Sequence, residues 1–232
     1  MSTILVTRPK LEAKTTIAKL EAMGHRVISA PMIEIKRISF ELPDEDRSLI
    51  ISSRNGARLG LANVQNKDRP IFAVGEQTAN EARKLGFTNI TVGPGTARQL
   101  VPILLEAGIT DKRKYSHLCG SIISYNVADA LSAEGFDAEN IITYQSNKVT
   151  SLSPEVQDAL DAGEIDIALF YSPRTATTFE ETTAEMGRSD WLTKMEAIGL
   201  SPRVAQELIG PWRSVRYAII PTEKAILSLI GK

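Results

Sequence analysis

Short apolar runs alternate with amphipathic stretches along the whole chain, and this alternation constrains the fold more than any other feature. Ten runs are predicted as strands: Ile4–Thr7, Val27–Ala30, Leu49–Ser52, Ile71–Val74, Ile90–Val92, His117–Cys119, Ile141–Tyr144, Ile167–Tyr171, Glu196–Ile198 and Tyr217–Ile220. Helical patterns between them include Glu12–Met23, Thr78–Leu85, Ala97–Glu106, Val127–Ala133, Pro154–Asp161, Arg203–Ile209 and Glu223–Ile230. Glycines that we expect to close helices are Gly24, Gly86, Gly108, Gly135 and Gly210. The runs are apolar throughout, which is typical of parallel strands covered on both faces, so the sequence predicts an α/β protein.

The strand and helix units repeat along the chain. Leu49–Ala57 resembles Ala168–Ala176, and Ala73–Ala82 resembles Ala197–Gln206. The N-terminal unit, Ile4–Pro31, has the same order of elements as Ser116–Tyr144. Any two strand–helix units share part of this pattern, but the later glycines, Gly86 and Gly210, follow their units at the same distance. We therefore expect two similar halves.

Composition excludes several classes of protein. Twenty-seven basic and 28 acidic side chains give a net charge of −1, which argues against a general nucleic-acid surface. Cys119 is the single cysteine, so no internal disulfide forms, and with His25 and His117 it makes a poor metal-ligand set. No apolar run approaches the roughly 18 residues of a membrane span, and the N-terminus lacks the pattern of a signal peptide. We expect a cytoplasmic protein that binds no metal, membrane or nucleic acid.

The turns after the predicted strands are short and rich in Ser, Thr and Gly. In open parallel sheets these turns meet at one edge, where helix N-termini attract carboxylate or phosphate groups. Four arginines are expected at the same edge: Arg8, Arg54, Arg174 and Arg203. For any single turn, a Ser or Thr that serves as a helix N-cap is the favoured interpretation, but the whole set with the arginines favours an anionic ligand.

Common catalytic motifs are missing from the sequence. There is no phosphate-binding loop, and Gly93–Arg98 has an arginine where a dinucleotide fingerprint needs its third glycine. No serine lies in a nucleophile elbow. We expect His25 to open a strand, and His117 and Cys119 to be core residues. The sequence therefore offers no strong nucleophile, base or metal site.

The ordered motifs resemble those of uroporphyrinogen-III synthases over essentially the whole chain. They are ILVTRP, IISSRNGA, AVGEQTANEARKLGF, IITYQ, FYSPRTA, AIGLSPRVAQEL and PTEKAILSLI. The resemblance implies two similar flavodoxin-like α/β domains with parallel sheets, joined by a two-stranded linker, with one domain discontinuous. One domain would comprise residues 1–35 and 149–232, the other residues 39–143, with linker strands at 34–38 and 144–148. A plain tandem division near residue 113 is the alternative that the sequence leaves open.

The resemblance also implies an activity. Such an enzyme is a cofactor-free lyase of haem biosynthesis that closes hydroxymethylbilane, a linear tetrapyrrole with eight carboxylates, into uroporphyrinogen III. Water is lost, and the terminal pyrrole ring is inverted through a spiro intermediate. Because the substrate also cyclises unaided to the uninverted isomer, holding one geometry is much of the catalytic task. A monomer is expected.

Site roles carried over from the family fall on the motifs above. Tyr144, in IITYQ, is the candidate that assists departure of the hydroxyl, although a linker tyrosine packing its ring is an equally good interpretation. Predicted substrate-binding residues are Arg8, Ser53, Arg54, Thr78, Ser121, Lys148, Ser172, Arg174, Ser201 and Arg203. Pro202 stands where the first half has Thr78, so that hydroxyl is not duplicated. The family often has an arginine-bearing turn where this chain has Cys119–Ser124; Ser121, Ser124 and Asn126 are the substitutes.

Two rival interpretations come from other classes of protein. A non-enzymatic two-lobed protein that binds a small anion is weakened by the lack of a signal peptide. A nucleotide-using α/β enzyme is weakened by the missing phosphate loops.

Overall fold

A computed structural model of the protein describes residues 1–111 and 113–230. Its strands are β1 (Thr3–Val6), β2 (Arg26–Ser29), β3 (Ile33–Arg37), β4 (Arg47–Ile51), β5 (Ile71–Ala73), β6 (Ile90–Val92), β7 (Lys114–Gly120), β8 (Ala138–Lys148), β9 (Ile167–Phe170), β10 (Glu196–Gly199) and β11 (Ser214–Tyr217). Its α-helices are α1 (Lys10–Ala22), α2 (Glu76–Lys84), α3 (Ala97–Asp111), α4 (Val127–Ala133), α5 (Pro154–Asp161), α6 (Pro173–Glu185), α7 (Pro202–Ala205) and α8 (Glu223–Leu227). A π-helical turn at Gly56–Gly60 and a 3₁₀ segment at Ser189–Lys194 complete the regular structure.

The chain forms two compact units. Unit 1 comprises Met1–Glu34 together with the chain from Asn147 onward, and unit 2 comprises Ile35–Ser146. The chain passes between the units within β3 and within β8. The described helices include none that is both long and apolar enough to cross a membrane.

The sheet of unit 1 has five strands in the order β11-β10-β9-β1-β2. Its pairings are parallel. Counted along the chain within the unit, this is the order 2-1-3-4-5, that of flavodoxin-like folds. Apolar clusters cover both faces, one around Phe170 and Phe179 and the other around Ile4 and Leu169. The apolar runs are buried on both sides, as the sequence predicts.

The sheet of unit 2 has six strands in the order β3-β8-β7-β4-β5-β6. The pairings among β4 to β8 are parallel. If counting starts at β7, the five strands from β8 to β6 again follow the order 2-1-3-4-5. Leu49 and Leu118 lie in the cluster on one face, and Ile50 and Tyr115 in the cluster on the other. The predicted α/β fold class with parallel sheets is confirmed.

A β-bulge interrupts the pairing of β7 with β8. Cys119 lies opposite Ile142, but Gly120 lies opposite Tyr144, so Thr143 is an additional residue in β8. Residues that lie opposite each other in a sheet point to the same face, and a bulge places two successive side chains on one face. The bulge therefore puts Tyr144 on the face of Gly120 and Leu118, away from the face that Asn140 shares with His117.

Part of the secondary structure predicted near the C-terminus is wrong. The run Tyr217–Ile220 is not a strand, since β11 ends at Tyr217, and Ile219 and Ile220 are 87% and 65% exposed. The helix predicted over residues 203–209 ends at Ala205.

Two of the glycines predicted to close helices serve close packing instead. Gly108 lies inside α3, and a Cβ there would lie 2.4 Å from Cε1 of Phe136. Gly210 lies beyond the end of α7, and a Cβ there would meet a methyl group of Leu192 at 2.6 Å. Gly24, Gly86 and Gly135 do follow helices in the left-handed region, with φ near +84°, +89° and +83°.

Candidate functional site

A cavity of about 290 Å³ lies in unit 2 at the carboxyl ends of its strands. Ser52 and Ser53 follow β4, Gly120 ends β7, and these two strands are neighbours in the sheet. They are also the strands between which the chain order of the sheet reverses, the position where open α/β sheets bind ligands. The cavity therefore lies where this fold places a site.

Tyr144 and Ser53 meet inside this cavity. The Tyr144 hydroxyl oxygen lies 3.0 Å from Ser53 Oγ, which also accepts the backbone N–H of Gly56 at 2.9 Å. The ring of Tyr144 packs closely against Gly120: a Cβ at position 120 would come within 2.6 Å of Tyr144 Cζ. Tyr144 is 7% exposed, so its hydroxyl has a defined position at the cavity wall.

Ser52 begins a chain of hydrogen bonds that runs from the cavity into the unit. Ser52 Oγ lies 2.7 Å from Nε2 of His117, which is completely buried. His117 Nδ1 lies 2.9 Å from Oδ1 of Asn140. Asn140 Nδ2 donates to Oδ1 of Asn126 at 2.7 Å, and that oxygen also accepts the backbone N–H of Asp129 at the start of α4. Burial lowers the pKa of His117, so the imidazole is neutral at pH 7.

The start of α3 also forms part of the cavity wall. Thr96 and Ala97 line the cavity, and Thr96 Oγ1 accepts the backbone N–H of Gln99 at 3.3 Å. Arg98, one residue into the helix, lies with its guanidinium 4.8 Å from the ring centre of Tyr125, which also lines the cavity. A helix N-terminus and a neighbouring guanidinium both favour a carboxylate.

The loop after β7 gives the cavity an apolar rim. Ile122 and Ile123 line it and are 61% and 36% exposed. Cys119, just before this loop, is buried, and burial raises the pKa of its thiol to about 11. A thiol with this pKa is protonated at pH 7 and is a weak nucleophile.

The equivalent strand ends of unit 1, after β1 and β9, are occupied by the protein's own side chains. Arg8 Nη1 lies 3.1 Å from Oε1 of Glu223, and its guanidinium carbon lies 4.1 Å from the ring centre of Tyr171. Glu223 also accepts from Thr16 Oγ1 at 2.6 Å and from Lys19. Burial raises the pKa of Tyr171 to about 12. Arg8 therefore already has a carboxylate partner within the unit.

Comparison with known proteins identifies the relatives of this chain. The profile of the family described as uroporphyrinogen-III synthase HemD matches residues 14–228. The chain belongs to the uroporphyrinogen-III synthase family. The family resemblance in the motifs is thereby confirmed.

Individual members of the uroporphyrinogen-III synthase family align over nearly the whole chain. The uroporphyrinogen-III synthase of Chlorobaculum parvum is 26% identical over 95% of this chain and 93% of its own length. A porphyrin biosynthesis protein HemD of Ruminiclostridium josui is 24% identical over 99% of this chain, which corresponds to 47% of that longer protein. The crystal structure of uroporphyrinogen-III synthetase from Helicobacter pylori superposes with a TM-score of 0.67 at 20% identity, covering 99% of this chain and 98% of that one. The last similarity supports the fold.

Of the residues predicted to form a uroporphyrinogen-III synthase site, the structure brings Tyr144 and Ser53 into direct contact. Arg54 follows Ser53 in the turn after β4, and the backbone N–H of Ser121 donates to the carbonyl oxygen of Tyr144 at 2.9 Å. Thr78 lies within α2 and is 5% exposed. These residues belong to unit 2, and their roles toward the substrate stay predictions.

The remaining predicted residues lie in unit 1. Ser172 and Ser201 cap α6 and α7, where their Oγ atoms accept the backbone N–H of Thr175 and Val204. The alternative interpretation of these serines as N-caps thus describes the contacts they make here. Lys148 Nζ lies 2.5 Å from Oε2 of Glu181. Arg174 and Arg203 lie in the first turns of α6 and α7.

Several residues of the cavity were not predicted from the sequence. Ser52 was predicted as the last residue of a strand run, and His117 was expected to be a core residue rather than a partner of Ser52. The two are 65 residues apart and meet because His117 pairs with Ile50 in adjacent strands. Thr96, Arg98 and Tyr125 were also missed as a group. In the described part of the chain, no group of three or more His, Cys, Asp or Glu side chains is arranged to hold a metal ion.

Proposed function

We propose that this protein closes hydroxymethylbilane to uroporphyrinogen III, with loss of water and inversion of the terminal pyrrole ring. The observation that carries the proposal is the family match over residues 14–228. A cavity at the chain-order reversal of unit 2, with a positioned phenol and a carboxylate-binding helix start, supports it.

Tyr144 is the proposed general acid of the reaction. Its hydroxyl, held by Ser53, gives a proton to the departing oxygen of the substrate's hydroxymethyl group, which leaves as water. A phenol has an ordinary pKa near 10, so it is a modest acid for this step. Because the substrate cyclises unaided, a modest acid in a fixed position is enough, and much of the gain comes from orientation.

The substrate's carboxylates need binding groups, and the start of α3 supplies the best supported one. The positive end of this helix and the guanidinium of Arg98, which lies beside the cavity-lining ring of Tyr125, have the charge that a carboxylate needs. Ser53, Arg54, Thr78 and Ser121 stay proposed contacts in unit 2, and the residues predicted in unit 1 stay proposed contacts there. The apolar rim at Ile122 and Ile123 suits the hydrocarbon bridges between pyrrole rings.

One assay tests the proposal. Hydroxymethylbilane is incubated with the protein, and the ratio of ring-inverted to uninverted uroporphyrinogen is measured by chromatography after oxidation. We expect the inverted isomer to dominate with the protein and the uninverted isomer to dominate without it. The same ratio in both samples would refute the proposed function.

We also propose a cytoplasmic monomer. The single buried cysteine, with a thiol that stays protonated, is suited to a reducing compartment. Light scattering of the purified protein should give a mass of 25.4 kDa. A mass of twice that value would refute the monomer.

A further inference from the structure

The hydrogen bonds behind Ser52 have a fixed direction, which starts at a backbone amide. The N–H of Asp129 can only donate, so Asn126 Oδ1 accepts from it at 3.3 Å. The same oxygen faces Asn140 at 2.7 Å and must accept again, so the amide nitrogen of Asn140 points toward it. The amide oxygen of Asn140 is thereby turned toward His117.

The tautomer of His117 follows from this direction. Nδ1 of the ring lies 2.9 Å from the amide oxygen of Asn140 and carries the proton, since that oxygen can only accept. In the neutral ring Nε2 then carries a lone pair, and it accepts the proton of Ser52 Oγ at 2.7 Å. The single hydroxyl proton of Ser52 therefore points away from the cavity.

Ser52 presents only lone pairs to the cavity as a result. Such an oxygen repels a carboxylate and accepts an N–H group. Each ring of a linear tetrapyrrole carries one N–H group. In the ring that loses its hydroxyl, the N–H proton becomes acidic as the hydroxyl departs. Ser52 can therefore bind a pyrrole N–H of the substrate, and it repels the substrate's carboxylates.

We propose that Ser52 accepts the N–H of the pyrrole that loses its hydroxyl, and that His117 takes up a proton from Ser52 in the same step. This inference rests on the proposed function and deepens it. Ser52 is a catalytic residue in this proposal, because it touches the reacting ring. His117, Asn140 and Asn126 are positioning residues that act through Ser52.

The proton transfers balance in both directions. The C–O bond breaks, its electron pair leaves with the oxygen, and the oxygen takes a proton from Tyr144 to become water. The electron pair of the N–H bond enters the conjugated system of the dehydrated ring, which becomes an electrophilic azafulvene. The N–H proton moves to Ser52 as the Ser52 proton moves to Nε2 of His117. When the last pyrrole attacks, the azafulvene nitrogen regains an electron pair and takes its proton back by the same route. The attacking ring gives its own N–H proton to the Tyr144 phenolate, so both side chains return to their starting states.

Steady-state kinetics with hydroxymethylbilane test the relay. We expect Ser52→Ala to lower kcat about 100-fold, within the range of a lost proton-transfer group, with KM changed less than about threefold. Ser52→Thr keeps the hydroxyl and should restore kcat to within about fivefold of the wild-type protein. His117→Gln should lower kcat as much as Ser52→Ala does, and the double variant should lose no more, because the two residues act as one unit. Ser132→Ala, an exposed serine on α4, is the control that should leave kcat unchanged.

Nitrogen NMR tests the direction of the chain without using activity. The protein has two histidines, so a His25→Gln variant leaves His117 as the single imidazole to be observed. We expect a neutral ring with a protonated Nδ1 and a hydrogen-bonded, unprotonated Nε2. A proton on Nε2 would overturn the proposal even if Ser52→Ala failed to fold.

The outcomes separate this inference from the function on which it rests. A wild-type protein that leaves the isomer ratio unchanged overturns both. An active wild-type protein with an equally active, folded Ser52→Ala variant overturns the relay and leaves the proposed function standing. If the losses of kcat from Ser52→Ala and His117→Gln add up in the double variant, the relay is also overturned. Additive losses would show two independent structural effects.

Discussion

Replacing Gly120 by alanine tests whether the position of the Tyr144 ring matters. The new Cβ would lie 2.6 Å from Tyr144 Cζ, 2.7 Å from Cε2 and 2.9 Å from the hydroxyl oxygen. Unstrained carbon contacts are about 3.5–4.0 Å, so the ring must move by about 1 Å. That shift breaks the 3.0 Å contact with Ser53.

The expected effects of Gly120→Ala differ in size for stability and for turnover. Overpacking of this kind costs about 1–3 kcal/mol of unfolding free energy, or about 2–4 °C in Tm for each kcal/mol. A 1 Å misplacement of a catalytic group lowers turnover about 100-fold. We therefore expect a protein that is folded at 25 °C, with a modestly lowered Tm and a large loss of kcat on hydroxymethylbilane.

Gly108→Ala is the matched control. A Cβ at position 108 would overlap Cε1 of Phe136 at 2.4 Å, a clash of similar severity that lies outside the cavity. This variant should lower Tm, offset in part by the better helix propensity of alanine, and keep wild-type kcat. An unchanged kcat for a destabilised Gly120→Ala would refute the reasoning, because the ring would then have moved without consequence. An unchanged Tm would show that the ring does not rest on Gly120.

Three further predictions address the phenol, a buried carboxylate and the cysteine. Tyr144→Phe should lower kcat about 10- to 100-fold with little change in KM, measured by the isomer assay; an unchanged kcat would remove Tyr144 from the mechanism. The hydrogen bond from Arg58 lowers the pKa of Glu81 from 4.5 to about 2, so this carboxylate stabilises the fold above pH 4.5, and the contribution is lost as the pH falls toward 2. Glu81→Gln should therefore have a free energy of unfolding about 1–2 kcal/mol below wild type at pH 7, a figure reduced for solvent screening, as measured by urea titration. Near pH 2.5 its free energy of unfolding should approach that of the wild-type protein. An equal difference at both pH values would contradict this. Cys119 should resist iodoacetamide at pH 8 in the folded protein and react after unfolding in urea, as followed by mass spectrometry; rapid labelling of the folded protein would contradict its burial.

The sequence predicts the fold class because burial on both faces of a parallel sheet leaves a local pattern. The apolar runs at β4 and β9 are visible without any knowledge of their neighbours. The run at Tyr217–Ile220 is similarly apolar but is largely exposed, and exposure is not a local property of a sequence. The domain boundaries implied by the family resemblance stay a prediction.

The site was harder to predict because its contacts join residues that are distant in the chain. Arg8 looks like a free strand-end cation, but its partner Glu223 lies 215 residues further on. His117 looks like an isolated core histidine until strand pairing brings it beside Ser52 and Asn140. Tyr144 was found through the family resemblance, and its contact with Ser53 depends on the bulge in β8.

That bulge also determines which changes of sequence this site tolerates. Three residues separate Asn140 from Tyr144, and because one of them is the bulged Thr143, the two side chains face opposite sides of the sheet. Deleting Thr143 would leave every remaining side chain unchanged and preserve a regular strand, yet it would turn the phenol to the face of His117. The length of β8, more than the identity of its neighbours, therefore keeps the phenol in the cavity, and insertions or deletions in this strand should be more damaging than substitutions beside it.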